Sequence, residues 1–223
     1  MRIAVLGTGS VGRALAEGFT RHGHDVAVGT RDVDVALDRP GPRDGVPLRE
    51  WVAAHPSVAV LTFAGAAAGA QVVVNATAGS ASLAALESAG ADGFAGTVVL
   101  DVANPLDFSA GFPPTLTLKD TDSLAEVLQR RFPGARVVKA LNTLTADLMA
   151  HPERLPEPTT VFLSGDDEGA KAVVRGLLAE FGWTDVLDLG GIASARGPEM
   201  WLPLWLRIMG SLGSGAFNLR IVR

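Results

Sequence analysis

Two periods alternate along the chain. Short runs of consecutive apolar, β-branched residues, "RIAVLG", "DVAVGT", "VAVLTF", "QVVVNATA", "GTVVLDVANP" and "ARVVKALNT", read as strands buried on both faces. Between them lie segments of helical period. Val11, Leu15, Gly18 and Phe19 share one face after the first run, and an alanine-rich helix is expected from Ser82 to Ala89. In "DSLAEVLQRRF", Ser123 and Glu126 have the spacing of a capping box. Apolar strands alternating with amphipathic helices predict a parallel sheet with helices on both faces. Beyond residue 150 the texture changes. A loop, "HPERLPEP", precedes a strand "TTVFLSG", a helix "DDEGAKAVVRGLLAEFG" and a strand "TDVLDLG". In the tail, Trp201, Trp205 and Met209 recur four apart on one helical face.

The expected fold is therefore α/β: a Rossmann-type, doubly wound, mostly parallel sheet with a C-terminal α/β extension and a terminal helix. A length of 223 residues, 48% of them hydrophobic, suits one domain. Within it, residues 1–145 read as a dinucleotide-binding core and 146–223 as the extension. No formal charge falls between Glu50 and Glu87, but the region reads as two strands joined by a small-residue helical turn, not as a membrane span. A net charge of −5 gives no reason to expect nucleic acid. The opening "MRIAVLG" is strand-like and unlike a signal peptide. With no cysteine in the chain, a cytoplasmic location is expected. Disulfides, thiolate nucleophiles and Cys-ligated zinc are excluded.

Candidate chemistry begins at "GTGSVG". Gly7, Gly9 and Gly12 follow a strand and open a helix, the context in which such glycines bind a dinucleotide. The first permits the tight turn, the second admits the pyrophosphate, and the third lets helix and strand pack. Thr8, Ser10 and Val11 complete the turn, and the helix N-terminus offers N–H groups to phosphate. The second strand ends at Thr30, where an acid would select NAD. Arg31 follows, and its planar donors suit the 2′-phosphate of NADP(H). Asp32, two positions late, is the competing reading.

Further strand ends mark the rim of an open α/β cleft. They supply Asn75, Ala76 and Thr77, then Ala103, Asn104 and Pro105, then Lys139, Ala140 and Asn142. As a group they read as cofactor contacts; singly, an asparagine at a strand end is also a turn residue. Lys139 reaches either a phosphate or solvent. "PLDFSAGFPPTLTL" either covers the cleft or is a packed connection.

The inventory of acids and bases is thin. There is no tyrosine, so no phenolic acid. His22 and His24 fall at the far end of the first helix, and His55 and His151 precede prolines; of the four, His151 is the least excluded as a catalytic acid. Asp166, Asp167 and Glu168 open a helix, where acids are ordinary dipole partners, so no metal site is assigned. Hydride transfer between a nicotinamide and a flavin-like ring needs alignment more than proton chemistry. Met200 and Trp201 are the candidates to flank the acceptor; core or interface packing is the competing role for the tryptophans.

"VGTRD", "VVVNATAG", "LDVANPLDF", "VVKALNTLTADLM" and "ARGPEMWLPLWLRIMG" together resemble the NADPH-dependent reductases of the deazaflavin coenzyme F420 over nearly the whole chain. "GTR" and "VVKALN" also resemble the cytosolic NADPH-binding domains of transmembrane ferric reductases. The resemblance implies NADP contacts at Gly7 through Gly12, Thr30, Arg31, Ala76, Ala103, Asn104, Ala140 and Asn142. It implies F420 as co-substrate, a C-terminal helix that lines the acceptor pocket, and a homodimer. A reductase of a flavin or small carbonyl compound, or a non-catalytic NADP-binding redox sensor, are the alternatives.

Overall fold

The computed structural model describes residues 1–41, 45–90 and 94–223. From the start, β1 (Arg2–Leu6) leads into α1 (Ser10–Arg21), β2 (Asp25–Thr30), the short helices α2 (Val33–Leu37) and α3 (Leu48–Ala54), β3 (Ala59–Thr62), α4 (Phe63–Ala67), β4 (Val72–Asn75), α5 (Ser82–Gly90) and β5 (Val98–Asp101). A hairpin of β6 (Leu106–Asp107) and β7 (Thr115–Leu116) precedes α6 (Leu124–Arg131) and β8 (Arg136–Ala140). Then come α7 (Ala146–Ala150), β9 (Thr160–Gly165), α8 (Glu168–Glu180), β10 (Asp185–Asp188), α9 (Arg196–Met200) and α10 (Leu202–Leu212).

Eight strands form one sheet in the order β10-β9-β8-β5-β4-β1-β2-β3. The chain moves outward from β1 through β3, then returns to place β4 on the other flank of β1. Between β1 and β4 the winding direction reverses, and there the α/β cleft opens. Strands β1 to β5 and β8 are parallel. β9 runs antiparallel to β8, and β10 parallel to β9. The sheet is thus continuous across residue 145.

Period-two alternation divides each strand between two cores. Ile3, Val5, Val26, Val28, Val72 and Val74 face a layer containing Leu15, Phe19 and Phe181. Ala4, Leu6, Ala27, Val73 and Val99 face Phe63, Leu86, Leu128 and Phe132 on the opposite side. Consecutive strand residues are therefore all apolar, because neither face meets water. A third cluster joins Leu106 and Leu116 of the hairpin to Leu202, Trp205 and Met209 of α10.

Three features depart from the sequence reading. The polar stretch after β2 holds α2, which starts where the Asp32 carboxylate accepts from Val35 N at 3.0 Å. The proline-containing segment after Asn104 is a hairpin. The tail is two helices that meet at Trp201, with Pro203 in the first turn of the second, where a missing N–H costs nothing.

Candidate active site

The glycine turn is built as its spacing requires. Gly7 has φ +121°, and a Cβ there would sit 2.5 Å from Ala76 O. A Cβ on Gly12 would sit 2.0 Å from Gly7 O, so the third glycine lets α1 close on the turn. Gly9 differs: nothing lies within 4 Å of an added Cβ. It is the N-cap of α1 and makes no side-chain capping bond, so the N–H groups of the first turn face the open space beside it. Arg13, one turn on, donates to Thr8 O at 3.0 Å and to Val46 O at 2.6 Å. It ties the turn to the segment leading into α3.

Two depressions flank the Ala76–Ala78 ridge after β4. The first, about 330 Å³, is lined by Gly7, Thr8, Gly9, Thr30, Arg31, Arg39, Phe63 and the small residues Ala81, Ala84 and Ser88. Among the described residues, neither Arg31 nor Arg39 has a carboxylate partner. Asp32, which caps α2, is committed to a backbone N–H. Two exposed guanidiniums beside a buried Thr30 make a site for a dianion. The second depression, about 250 Å³, is lined by Val11, Thr77, Ser80, Val102, Ala103, Asn104, Leu106, Phe108, Leu144 and Met149. No Lys, Arg, His, Asp or Glu lines it among the described residues.

Behind the ridge lies a buried polar network. Lys139, wholly buried, contacts Asp101 at 2.8 Å and Glu199 at 2.9 Å, and also donates to Ala103 O. Burial alone would lower the lysine's pKa, but the two carboxylates reverse this and hold it above the ordinary value. Burial raises the Glu199 carboxyl, and Lys139 offsets that only in part. Glu199 also accepts from Leu124 N and Ala125 N at 2.8 and 3.2 Å, at the start of α6. Asn104 and Asn142 bond each other: Asn104 Nδ2 donates to Asn142 O at 2.8 Å, and Asn142 Nδ2 to Asn104 Oδ1 at 2.9 Å.

The structure therefore gathers Gly7, Thr8, Gly9, Val11, Thr30, Arg31, Ala76, Thr77, Ala103 and Asn104 on the cleft. Ser10 sits exposed in the first turn of α1. Gly12, Asn75, Ala140 and Asn142 support from behind, and Pro105 O holds the hairpin through Thr117 N at 2.8 Å. Lys139 meets neither phosphate nor solvent, because the carboxylates of β5 and α9 enclose it. Met200 and Trp201 line neither depression. Met200 Sδ accepts from Asp120 N at 3.3 Å, and Trp201 borders a separate apolar hollow with Phe162 and Leu219. The tail's apolar face covers the hairpin instead. Met149 is the only residue beyond 145 among the described lining residues. His151 lies against Arg21, the end of α1, at 3.1 Å, remote from the helix start at the cleft. Asp167 caps α8 through Ala170 N at 2.7 Å. Arg39, Phe63, Phe108, Leu144 and Met149 were not singled out by the sequence, since they come from loops or, for Phe63 and Met149, from the short helices α4 and α7, with no motif of their own.

A parallel sheet with a glycine turn at its switch point, an anion-binding half and a neutral half defines a dinucleotide-binding oxidoreductase. Residues 2–105 match the family described as NADP oxidoreductase, coenzyme F420-dependent. A crystal structure of a candidate F420-dependent NADP-reductase from Arthrobacter sp. FB24 is 51% identical, covers 100% of both chains and superposes with a TM-score of 0.96. The chain belongs to this family and is an NADP-dependent oxidoreductase. The metalloreductase STEAP3 of Rattus norvegicus is 31% identical over 209 residues, 92% of this chain; the chain spans 38% of that relative's length. A reductive aminase from Aspergillus terreus, solved with NADPH and ethyl-5-oxohexanoate, shares the fold at 20% identity and a TM-score of 0.63, over 94% of this chain and 62% of that one. No described helix is long and apolar enough to cross a membrane.

Proposed function

We propose that the protein transfers hydride between NADPH and a deazaflavin of the coenzyme F420 type. The observation that carries this reading is the neutral, largely apolar second half of the cleft, which adjoins the phosphate-binding half and shares the Ala76–Ala78 ridge with it. The residues present fit NADP(H): Gly9 leaves room for a diphosphate, the first turn of α1 donates to it, and Thr30, Arg31 and Arg39 receive the 2′-phosphate. When bound, NADPH supplies a hydride from its nicotinamide ring. Val11, Val102, Leu144 and Met149 exclude water from the transfer. Phe108, 58% exposed on the hairpin, offers a ring face to a planar acceptor. No acid or base lines this half among the described residues, so the proton that accompanies reduction of a deazaflavin comes from solvent. A carbonyl acceptor would want a donor beside its nascent alkoxide.

Residues 1–145 hold the cofactor in this reading, and 146–223 brace the roof of the neutral half. Leu204 and Leu212, both exposed on α10, are the surface assigned to a second copy of the chain in a homodimer, which a doubled molar mass in light scattering would register. The activity test mixes the protein with NADPH and, separately, oxidised F420, FMN or a small ketone, and follows NADPH absorbance. Oxidation with F420 alone is expected. Turnover of FMN or the ketone with none of F420 overturns the assignment. NADPH binding without turnover of any acceptor favours a sensor.

A further inference from the structure

The buried network behind the ridge does more than fill space, because it sets the direction of the hydrogen bonds that reach the cleft. Asn75 is wholly buried. Its Nδ2 donates to Asp101 Oδ1 at 2.8 Å and to Ser82 Oγ at 2.9 Å. A carboxylate only accepts, and Lys139 and Ala103 N already donate to this one, at 2.8 and 3.2 Å. The amide of Asn75 thus has one orientation, with Oδ1 turned toward Thr77. Thr77 Oγ1 donates its single proton to that oxygen at 2.7 Å. Its other polar neighbours are protein groups as well: Ala78 O, an acceptor at 3.3 Å, and Ser82 Oγ at 3.1 Å, a hydroxyl that can donate to Thr77 or accept from it. Thr77 lines both halves of the cleft.

We propose that Asp101, paired with Lys139, fixes the amide of Asn75 so that Thr77 meets the cofactor as a hydrogen-bond acceptor only, and that Thr77 thereby recognises a donor on the nicotinamide nucleoside, a ribose hydroxyl or the carboxamide N–H. The inference rests on reading the cleft as the NADP(H) site. Asp101 and Asn75 are positioning residues; Thr77 alone touches the ligand. Reversing the Asn75 amide would turn Nδ2 toward Thr77, free the hydroxyl proton, and offer the nucleoside a donor facing its own donor.

The test is a double-mutant cycle on NADPH affinity, measured by calorimetry with the full chain. Thr77→Val is expected to weaken binding about 3- to 10-fold, the worth of one hydrogen bond, and Thr77→Ser to keep it. Asp101→Asn and Asn75→Leu should each cost a similar factor, and neither should weaken Thr77→Val further. Asn75→Leu leaves the ion pair intact, so the cycle stands if Asp101→Asn does not fold. The 3-acetylpyridine analogue of NADP, which has no carboxamide N–H, separates the two donors: a penalty seen in the parent but not in Thr77→Val identifies the carboxamide, and no penalty identifies the ribose. Losses that multiply, or Thr77→Ser falling as far as Thr77→Val, overturn the inference. Should the parent bind no NADPH, the cofactor reading itself fails.

Discussion

Gly9 and Gly12 are three residues apart and serve different ends, which makes them separable by mutation. A methyl on Gly12 collides with the backbone of Gly7, so Gly12→Ala should lower thermal stability and cofactor affinity together. At Gly9 the methyl enters open space. Gly9→Ala should melt with the parent in a thermal scan yet bind NADPH far more weakly in calorimetry. Arg31→Ala should weaken NADPH about 10- to 100-fold, the worth of one or two charge-assisted hydrogen bonds, and leave NADH nearly unchanged; equal losses for both would remove Arg31 from the 2′-phosphate. Lys139→Met would strand two buried carboxylates and cost about 3–5 kcal/mol, read from urea midpoints. The glycines and Arg31 were legible because a local motif fixes their backbone. Arg39 and the partners of Lys139 were not, since only the fold brings Asp101 and Glu199 to that lysine.

Among elements, α6 shows how a visible local signal acquires a distant partner. Ser123 caps it as the spacing predicts, accepting from Glu126 N at 3.2 Å. The Glu126 carboxylate then receives Arg196 in two bonds, 2.8 and 2.5 Å, joining α6 to α9 across 70 residues of sequence. The Ser123 half of the capping box was readable, but the Ser123 N–H goes to Asp122 Oδ1 at 2.9 Å and not to Glu126; the bridge was not readable, because nothing local in "SARGPEM" points to α6. The Arg196 guanidinium holds the Glu126 carboxyl below the ordinary glutamate value. The unfolded chain therefore takes up this proton first. The contribution of the bridge is fully present above the ordinary value and is lost as pH falls through the folded one. Glu199 acts in the opposite sense: burial raises its pKa, so its contribution is greatest below the ordinary glutamate value and erodes as pH rises through the folded one. Urea midpoints across pH should show Glu126→Gln flattening the acid limb of the parent's profile. An unchanged acid limb in that variant would remove the bridge from the pH dependence.

At the scale of the whole molecule, the cleft is assembled from two sources. Its phosphate-binding half comes from β1, β2 and β4, legible as apolar runs, and from α1, legible by its period; α2 and α3, in the polar stretch after β2, were not. The roof of its neutral half is the hairpin, and that is packed by α10. The sequence showed the shared face of Trp201, Trp205 and Met209 but not its target, because periodicity reveals an apolar stripe and says nothing of what covers it. Trp205, 8% exposed and stacked on Phe217 at 5.3 Å, is the centre of that packing. Trp205→Ala should cost about 3–5 kcal/mol of stability. In steady-state kinetics it should raise KM for the acceptor while the affinity for NADPH stays near the parent's; a loss confined to NADPH would contradict this division. The arrangement also has a temporal side. During translation the strands that grip the diphosphate emerge well before Leu202 leaves the ribosome. A nascent chain halted between the two would lack β9, which pairs with β8, and Glu199, which closes on Lys139, so the sheet and its buried ion network are completed only when the last helices arrive.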